Sequence, residues 1–336
     1  MNWNFKENGG REPKPGLLPD AWHEGYAFLN HLGADWIGMP ELPHAQTHPY
    51  APEEEVAAAK RRFNASQDLL GMRCFLGGMG EGNNPTGAFI RERHFTIGLR
   101  AQRHHRTGFR TPPTQITLGL DKAPGVPIIT AVFHNSYCSP PARQTEAFNL
   151  TGLVDKVKAD QGTAVLWAAC WLLGDTNESP SPLGELVGGI DWPTVTDLVH
   201  RSHRAQQLPD GSWRSYTDFD DIMFATGMHD AARWAAHQGQ FGAMAATAGR
   251  ARPDQGGAVR LDRNFMDPFT VQAVENVHVI DMSGLSDHDL TIYDLSLHKL
   301  IETLHRQTVQ PLAPWSADPL LPRPLLSSRN AFRAAT

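Results

Sequence analysis

The stretch AVLWAACWLLGDTN, residues 164–177, decides the fold that we expect. Its apolar part is typical of a buried β-strand. Gly174 ends the run, and Asp175 and Asn177 follow it two positions apart. Because side chains on an extended strand alternate with a period of two, these two side chains point the same way. A carboxylate and an amide oxygen together suit a hard cation or an attacking water, although a plain turn explains the same residues.

Other short apolar runs in the chain also carry a polar side chain at one end. These side chains are Asn4 after residues 1–3, Glu41 after 36–39, His134 after 127–133, Asp262 after 259–261, and Ser286, Asp287 and His288 before 290–293. Segments with helical spacing lie between the runs, at residues 21–32, 145–157, from a capping Asp191 onward, and at 219–237. This alternation predicts an α/β domain whose active residues lie on loops at one edge.

The composition restricts the class of protein. The 336 residues carry a net charge of −6, which excludes a protein that holds nucleic acid through bulk positive charge. The 3 cysteines fit neither a metal-binding pair nor a disulfide framework, so we expect them to be reduced. The longest apolar run, residues 163–173, is too short to span a membrane, and the first residues lack a signal-peptide core. We therefore expect a cytoplasmic protein, or a secreted one if translation starts upstream.

Taken together, the polar strand ends resemble the endonuclease/exonuclease/phosphatase superfamily, whose fold is DNase I-like. The matches occur in the same order as the family's motifs and run from residue 2 to about residue 297. They are Trp3-Asn4, Pro40-Glu41-Leu42, Phe133-His134, Gly174-Asp175-Thr176-Asn177, Leu261-Asp262-Arg263 and Leu285-Ser286-Asp287-His288. The segment from Pro140 to Ala147 is also similar to the family's Arg-bearing helix start. The resemblance implies an α/β fold with four layers, α/β/β/α, in which helices flank two mixed sheets.

The resemblance also implies a metal-dependent phosphoesterase site. In that reading Glu41 is the main Mg²⁺ ligand, with Asn4 and Asp287 beside it, and Mn²⁺ is an alternative ion. Asp175 and Asn177 orient the attacking water and the phosphate. His288, held by Asp262, neutralises charge on the phosphoryl oxygens or transfers a proton, and His134 contacts the phosphate near the leaving oxygen. Pro40 stands where the family usually has Gln, so one side chain that supports Glu41 is missing.

The segment from residue 91 to residue 110 holds six arginines and three histidines against Glu92. It is either a phosphate-binding arm that includes Arg91 and Arg93, or a solvated hairpin edge kept basic to prevent sheet pairing. We place substrate choice in residues 77–110 and in a family-variable insertion at 179–257. The catalytic domain is predicted to span residues 1–309, followed by a Pro-rich tail at 310–336, because five prolines between 311 and 324 exclude a regular helix.

Several functions remain open at this point. The first is a Mg²⁺-dependent phosphodiesterase of the nuclease type, acting as a monomer. The same machinery serves phosphomonoesterases and phospholipid or inositol phosphate phosphatases. A non-catalytic binding module on the same fold is a further alternative. A zinc hydrolase that uses His44 and His48 is disfavoured, because Pro43 and Pro49 flank the pair and prevent a helix from carrying it.

Overall fold

The computed structural model describes residues 1–82, 84–105, 107–157, 167–182, 185 and 189–305. Within these residues the α-helices are α1 (Asp20–Leu32), α2 (Glu53–Leu70), α3 (Pro140–Val154), α4 (Leu198–Arg204), α5 (Asp218–Ala225), α6 (Ala231–His237) and α7 (Leu297–Leu304). The strands are β1 (Trp36–Met39), β2 (Arg73–Leu76), β3 (Gly87–Ile90), β4 (Phe95–Arg103), β5 (Thr114–Leu120), β6 (Ala123–His134), β7 (Ala169–Asp175), β8 (Ala205–Gln207), β9 (Trp213–Ser215), β10 (His229–Asp230), β11 (Asp262–Met266), β12 (Val274–Ile280) and β13 (Leu290–Leu295).

The strands form two large sheets. One sheet has the order β10-β11-β7-β6-β5-β4, and it is mixed because β6 and β7 run parallel whereas its other neighbours are antiparallel. The second sheet contains β2, β3 and β1 on one side and β13 and β12 on the other. Asn2 joins these two parts, because it bridges to Gly38 in β1 and to Thr291 in β13.

The two sheets pack face to face. A Cβ atom added at Gly38 would overlap the side chain of Leu173, so β1 and β7 approach too closely for any larger residue at that position. The rings of Trp36 and Trp171 lie 5.9 Å apart across the same interface. Helix α1 covers the outer face of the second sheet through its buried Trp22. The predicted four-layer sandwich is therefore confirmed.

The opposite outer layer consists of α3, α5 and α6. Phe219 of α5 stacks on Phe133 of β6 with ring centroids 5.1 Å apart. Ser139 caps α3 by accepting a hydrogen bond from the backbone N–H of Ala142, and two prolines occupy its first turn. Helix α3 therefore begins five residues before the predicted start.

Other predicted boundaries are wrong. The helix expected from Asp191 is only a short 3₁₀ turn at Trp192–Thr194, and α4 begins later, after a cap by Asp197. The single helix expected at residues 219–237 is split into α5 and α6, because Gly227 adopts a φ of +82° between them. The strand expected at 259–261 begins at Asp262 instead. Helices α2 and α7 were not predicted, since the exposed, charged face of α2 hides its apolar positions.

A cluster of buried charges fastens the region after β7 to the larger sheet. Asp230 accepts hydrogen bonds from Arg260 and Arg263 at 2.8 and 2.7 Å, and Asp220 pairs with Arg233 at 3.0 Å. All five side chains are almost fully buried. Because each buried charge faces a partner of opposite sign, the cluster can stay in the protein interior.

Two further sequence predictions concern the Pro-rich tail and the lack of a membrane-spanning segment. The Pro-rich tail at residues 310–336 lies outside the described residues, so the proposed division at residue 309 stays a prediction. Among the residues that are described, no helix is long and apolar enough to cross a membrane.

Candidate active site

Asp175 and Asn177 form a rigid turn at the end of β7. The Oδ1 atom of Asp175 accepts a hydrogen bond from the backbone N–H of Asn177 at 2.7 Å. Asn177 has a φ of +50°, a left-handed conformation that Asn tolerates better than most residues. Its Oδ1 atom accepts from Arg204 at 2.7 Å, and its Nδ2 atom donates to the carbonyl oxygen of Asn135 at 3.0 Å. These bonds fix the orientation of the Asn177 amide.

Asp262 and His288 form a hydrogen-bonded pair beside this turn. In the antiparallel pairing of β11 with β7, Asp262 lies directly opposite Asp175. The Nδ1 atom of His288 lies 2.8 Å from Asp262, and its Nε2 atom lies 3.9 Å from Asp175. Burial alone would lower the pKa of His288, but Asp262 outweighs burial, and with help from Asp175 and Asp287 the pKa rises to about 10. The imidazole is therefore positively charged at neutral pH.

His134 and Glu41 complete the cluster from the other side. His134 is the last residue of β6 and the parallel neighbour of Asp175. Its Nε2 atom lies 3.1 Å from Glu41, 3.6 Å from Asp175 and 3.0 Å from the Asn177 amide nitrogen. Burial opposes the charge on His134, but Glu41 and then Asp175 outweigh it, so the pKa of His134 is raised. Asp175 is held ionised in return: burial would raise its pKa, but His134 and His288 lower it.

The first residues of the chain bring Asn4 to the same place. The Nδ2 atom of Asn4 donates to Asp175 at 3.2 Å. Ser286 donates its hydroxyl to the Asn4 carbonyl at 2.8 Å, and the indole of Trp3 donates to the His288 carbonyl at 3.2 Å. The start of the chain and the Ser-Asp-His segment therefore hold each other in position.

Glu41 is supported by a residue that the motifs did not identify. Pro40 removes the expected Gln, but the Nδ2 atom of Asn84 donates to Glu41 at 3.1 Å. Asn84 lies in the loop between β2 and β3, where residue order gives no sign of a partner 43 positions earlier. The second carboxylate oxygen faces His134, so both oxygens of Glu41 are oriented.

Three predicted site residues are not brought into the cluster. Asp287 is exposed and does not line the cleft, although its charge acts on His288. Arg91 and Arg93 lie at the opposite end of β3 from Gly87, the residue paired with Met39 next to Glu41. Arg91 donates to the carbonyls of Ala34 and Leu70, and Arg93 pairs with Asp35. The substrate-binding role expected for these two arginines is not supported by their position.

The basic segment itself is mostly a sheet edge. β4 is the last strand of its sheet, as the alternative of a solvated hairpin edge requires. Within the described part of the segment, Arg110 does line the cleft, and its guanidinium lies 5.2 Å from the centroid of the half-exposed Tyr137 ring. Glu146 anchors the backbone on both sides of this contact. Its carboxylate accepts hydrogen bonds from the N–H group of Arg110 at 2.8 Å and from that of Ser136, the residue before Tyr137, at 2.7 Å.

The cleft that contains these side chains has a volume of about 410 Å³. Its walls are formed by Asn4, Glu41, Glu81, Gly82, Asn84, Arg110, Thr111, His134, Asn135, Tyr137, Asp175, Asn177 and His288. Asp175, Asp262 and His288 place ligand atoms within 4.8 Å of one another, which is close enough for a shared metal ion. The Nδ1 atom of His288 is already hydrogen-bonded to Asp262, which leaves its Nε2 atom facing Asp175.

Arg204 is a second residue that supports the cleft and that sequence reasoning missed. It is almost fully buried, and burial followed by the charge of Arg143 lowers its pKa to about 10. Its bond to Asn177 shows that the segment after residue 179 supports the cleft directly. Nothing in the charged run of α4 distinguishes Arg204 from a solvent-exposed arginine.

We expect Arg204→Leu to lower kcat about tenfold, because Asn177 loses the bond that orients its amide. Steady-state hydrolysis of bis-p-nitrophenyl phosphate measures the change. Arg201→Leu is the matched control, since Arg201 lies on the same helix but contacts Trp192, Val195 and Trp213 instead of the cleft. An equal loss of kcat in both variants would contradict a specific role for Arg204.

Each of the six sequence matches contributes a residue at or next to one cleft of the four-layer sandwich. Asp175 lies in the middle of this group, because it contacts Asn4, His134 and His288 and lies opposite Asp262. This arrangement of layers and polar strand ends resembles the endonuclease/exonuclease/phosphatase superfamily. No protein-family model and no curated protein matches the chain.

Several solved structures are similar to this chain. A 3′-5′ exonuclease, NExo, from Neisseria meningitidis is 16% identical over 88% of this chain and 98% of its own, with a TM-score of 0.49. An endonuclease/exonuclease/phosphatase family protein from Bacteroides thetaiotaomicron is 12% identical over 80% and 85%, with a TM-score of 0.47. An AP endonuclease from Archaeoglobus fulgidus is 15% identical over 81% and 94%, with a TM-score of 0.45. These similarities concern the fold.

Proposed function

We propose that the protein is a divalent-metal-dependent phosphoesterase that hydrolyses phosphodiesters, as a nuclease does. The observation that carries this proposal is the meeting of Glu41, Asp175, Asn177, His134 and the His288–Asp262 pair in one cleft. A phosphodiester and hydroxide are both negative, so a site that joins them needs positive charge and an oriented nucleophile. The cleft offers both.

The oxygen atoms of Glu41 and Asn4 suit Mg²⁺ or Mn²⁺. Glu41 lines the cleft with its side chain about one fifth exposed, and the Oδ1 atom of Asn4 accepts no hydrogen bond from any described residue. A carboxylate and an amide oxygen are ligands that hard cations prefer, and Mg²⁺ needs only one or two protein carboxylates. Glu41 and Asn4 would therefore hold the ion, and Asp287 lies outside this set. The bound ion would supply positive charge to a phosphoryl oxygen.

The chain's own side chains provide the remaining chemistry. Asp175 stays ionised and is held by Asn4 and Asn177, so it can accept a hydrogen bond from the attacking water and aim its lone pair. The protonated Nε2 of His288 donates to a phosphoryl oxygen and neutralises the charge that develops there. The Asn177 amide would add a neutral donor, and His134, beside Glu41, would protonate the leaving oxygen.

The rim of the cleft favours nucleotide esters over inositol phosphates. Tyr137 is exposed and carries the Arg110 guanidinium against its ring. An aromatic ring beside a cation suits a base that stacks and a phosphate that pairs. A sugar phosphate without a base would use only the cation.

Hydrolysis should depend on a divalent ion and on Glu41. We expect Glu41→Gln to lower kcat/KM about a hundredfold and to recover part of the activity at higher Mg²⁺, because the amide is a weaker ligand than the carboxylate. Glu92→Gln is the matched control, since Glu92 is exposed and pairs with Arg73.

The test is a panel of substrates assayed with Mg²⁺, Mn²⁺ or EDTA. It contains single-stranded and double-stranded DNA, RNA, bis-p-nitrophenyl phosphate and p-nitrophenyl phosphate. The proposal expects diester cleavage that EDTA abolishes. Turnover unchanged by EDTA and by Glu41→Gln would reject it, turnover of monoesters alone would identify a phosphomonoesterase, and binding without turnover would identify a non-catalytic module.

A further inference from the structure

A second cavity, of about 690 Å³, lies next to the active-site cleft. Asn84 lines both spaces, and its amide donates to Glu41, so the two spaces adjoin at this side chain. The second cavity is lined by the first turn of the chain, the loop after Glu41 and one face of α2. The second cavity is therefore a neighbour of the space in front of Glu41.

The wall of the second cavity contains polar atoms without partners. Arg62 on α2 is only 1% exposed, and its Nη1 atom donates to the Asn8 carbonyl at 2.8 Å. Its Nη2 atom has no hydrogen-bond partner among the described residues, and neither does the Oε1 atom of Gln46 on the same wall. A buried donor on a charged group that lacks an acceptor is costly. Arg62 therefore calls for an acceptor from a bound molecule.

The charged side chains of the second cavity are two arginines and three glutamates. Arg11 lies on the same wall, together with Glu7, Glu12 and Glu55. Glu7 and Glu55 are exposed, whereas Glu12 is engaged by the Gly16 N–H at 2.8 Å and by Arg61 at 3.3 Å.

The pKa of His44, which lies on this wall, is affected more by the arginines than by the acids. The pKa of His44 is lowered, first by burial and then by Arg62 and Arg11, and Glu7 and Glu12 only partly offset this. The arginines therefore dominate the field at this point of the cavity.

Backbone strain is concentrated in the same walls. Among the described residues, four that are not glycine have a positive φ. Glu7, Asn8 and His44 adopt φ values of +49°, +49° and +65° around the second cavity, and the fourth is Asn177 in the cleft. Such conformations are unfavourable and persist where the surrounding structure imposes them, most often at ligand sites.

We propose that the second cavity is a phosphate subsite, in which Arg62 and Arg11 bind a second phosphate of the substrate. This inference rests on the proposed function, because the first phosphate is the one attacked beside Glu41. It specifies the substrate as an ester that carries a further phosphate close to the scissile one, as an oligonucleotide does. Gln46 accepts a hydrogen bond from a hydroxyl beside that second phosphate.

The kinetic test compares dithymidine monophosphate with the same dinucleotide bearing an extra phosphate at its 5′ or its 3′ end. In the wild type, the extra phosphate at one of these ends lowers KM at least tenfold. Arg11→Ala and Arg62→Lys abolish that gain, so that KM no longer depends on the extra phosphate. Lys60→Ala, which removes one exposed positive charge elsewhere on α2, preserves the gain. Equal KM values for all three substrates in the wild type would overturn the subsite.

A binding measurement separates the subsite from the proposed activity. Calorimetric titration in EDTA compares thymidine 3′,5′-bisphosphate with thymidine 5′-monophosphate and 3′-monophosphate. The bisphosphate binds at least tenfold more tightly than either monophosphate, and Arg11→Ala, at an exposed position, removes the difference. This preference without turnover would support the subsite and reject the phosphoesterase. Turnover without the preference for the bisphosphate would support the phosphoesterase and reject the subsite. If neither turnover nor the preference is observed, both proposals are rejected.

Discussion

Asp175→Asn is expected to lower kcat about a thousandfold or more while leaving the fold intact. Asn has the same shape as Asp and keeps one oxygen for the Asn177 N–H, so the turn after β7 survives. It removes the negative charge that faces His134 at 3.6 Å and His288 at 3.9 Å. The attacking water then lacks its acceptor. Hydrolysis of bis-p-nitrophenyl phosphate with Mg²⁺ measures the loss.

Asp121→Asn is the control for this substitution. Asp121 is an exposed residue at the turn between β5 and β6, so its variant should keep full activity. Circular dichroism and the thermal midpoint establish that both variants fold. If Asp175→Asn folds and retains more than a tenth of wild-type kcat, Asp175 does not orient the nucleophile.

Asp230→Asn is expected to lower the free energy of unfolding by about 3–5 kcal/mol, the usual loss when one partner of a buried ion pair is removed. Asn still caps α6 by accepting from the Ala232 N–H, as Asp230 does at 2.8 Å. It leaves Arg260 and Arg263 buried without their shared negative partner. Urea denaturation measures the change, and Asp68→Asn on the exposed face of α2 is the control. A loss below about 1 kcal/mol would mean that the cluster rearranges around the missing charge.

The same residue predicts how stability depends on pH. Burial would raise the pKa of Asp230, but Arg260, Arg263 and Arg233 outweigh it and hold the pKa well below the ordinary value of 3.8. Since the folded state binds the proton less tightly than the unfolded state, the carboxylate stabilises the protein fully above about pH 4. That contribution is lost as the pH falls further. The gap in stability between wild type and Asp230→Asn should therefore narrow in acid.

Much of the site could be predicted because its residues lie at strand ends. Asp175, Asn177, His134 and Glu41 each follow a short apolar run, and a two-residue spacing on an extended strand indicates which side chains share a direction. The sandwich places those ends at one edge. The family resemblance supplied the roles, and the hydrogen bonds of the structure are compatible with them.

The remaining site residues depend on pairings that local sequence does not encode. Asp262 opens β11 rather than ending a strand, and only the register against β7 places it opposite Asp175. Arg204 and Asn84 lie in segments with ordinary surface composition and reach the cleft through tertiary packing. Arg91 and Arg93 were misplaced for a related reason. A count of arginines cannot tell which end of β3 they occupy, and they lie at the end away from Glu41.

The bridging of Asn2 between β1 and β13 makes one side of the cleft depend on segments that lie far apart in the sequence. The partners of the opening residues lie more than 280 positions downstream, so their contacts form only after nearly all of the domain has been synthesised. Contacts between such distant segments carry a large loop-closure cost and slow folding. Until Ser286 and Thr291 arrive, the segment around Asn2 has an unpaired edge and Asn4 lacks the contact that holds its backbone. A nascent polypeptide therefore lacks a complete cleft, and its exposed strand edge calls for protection during translation.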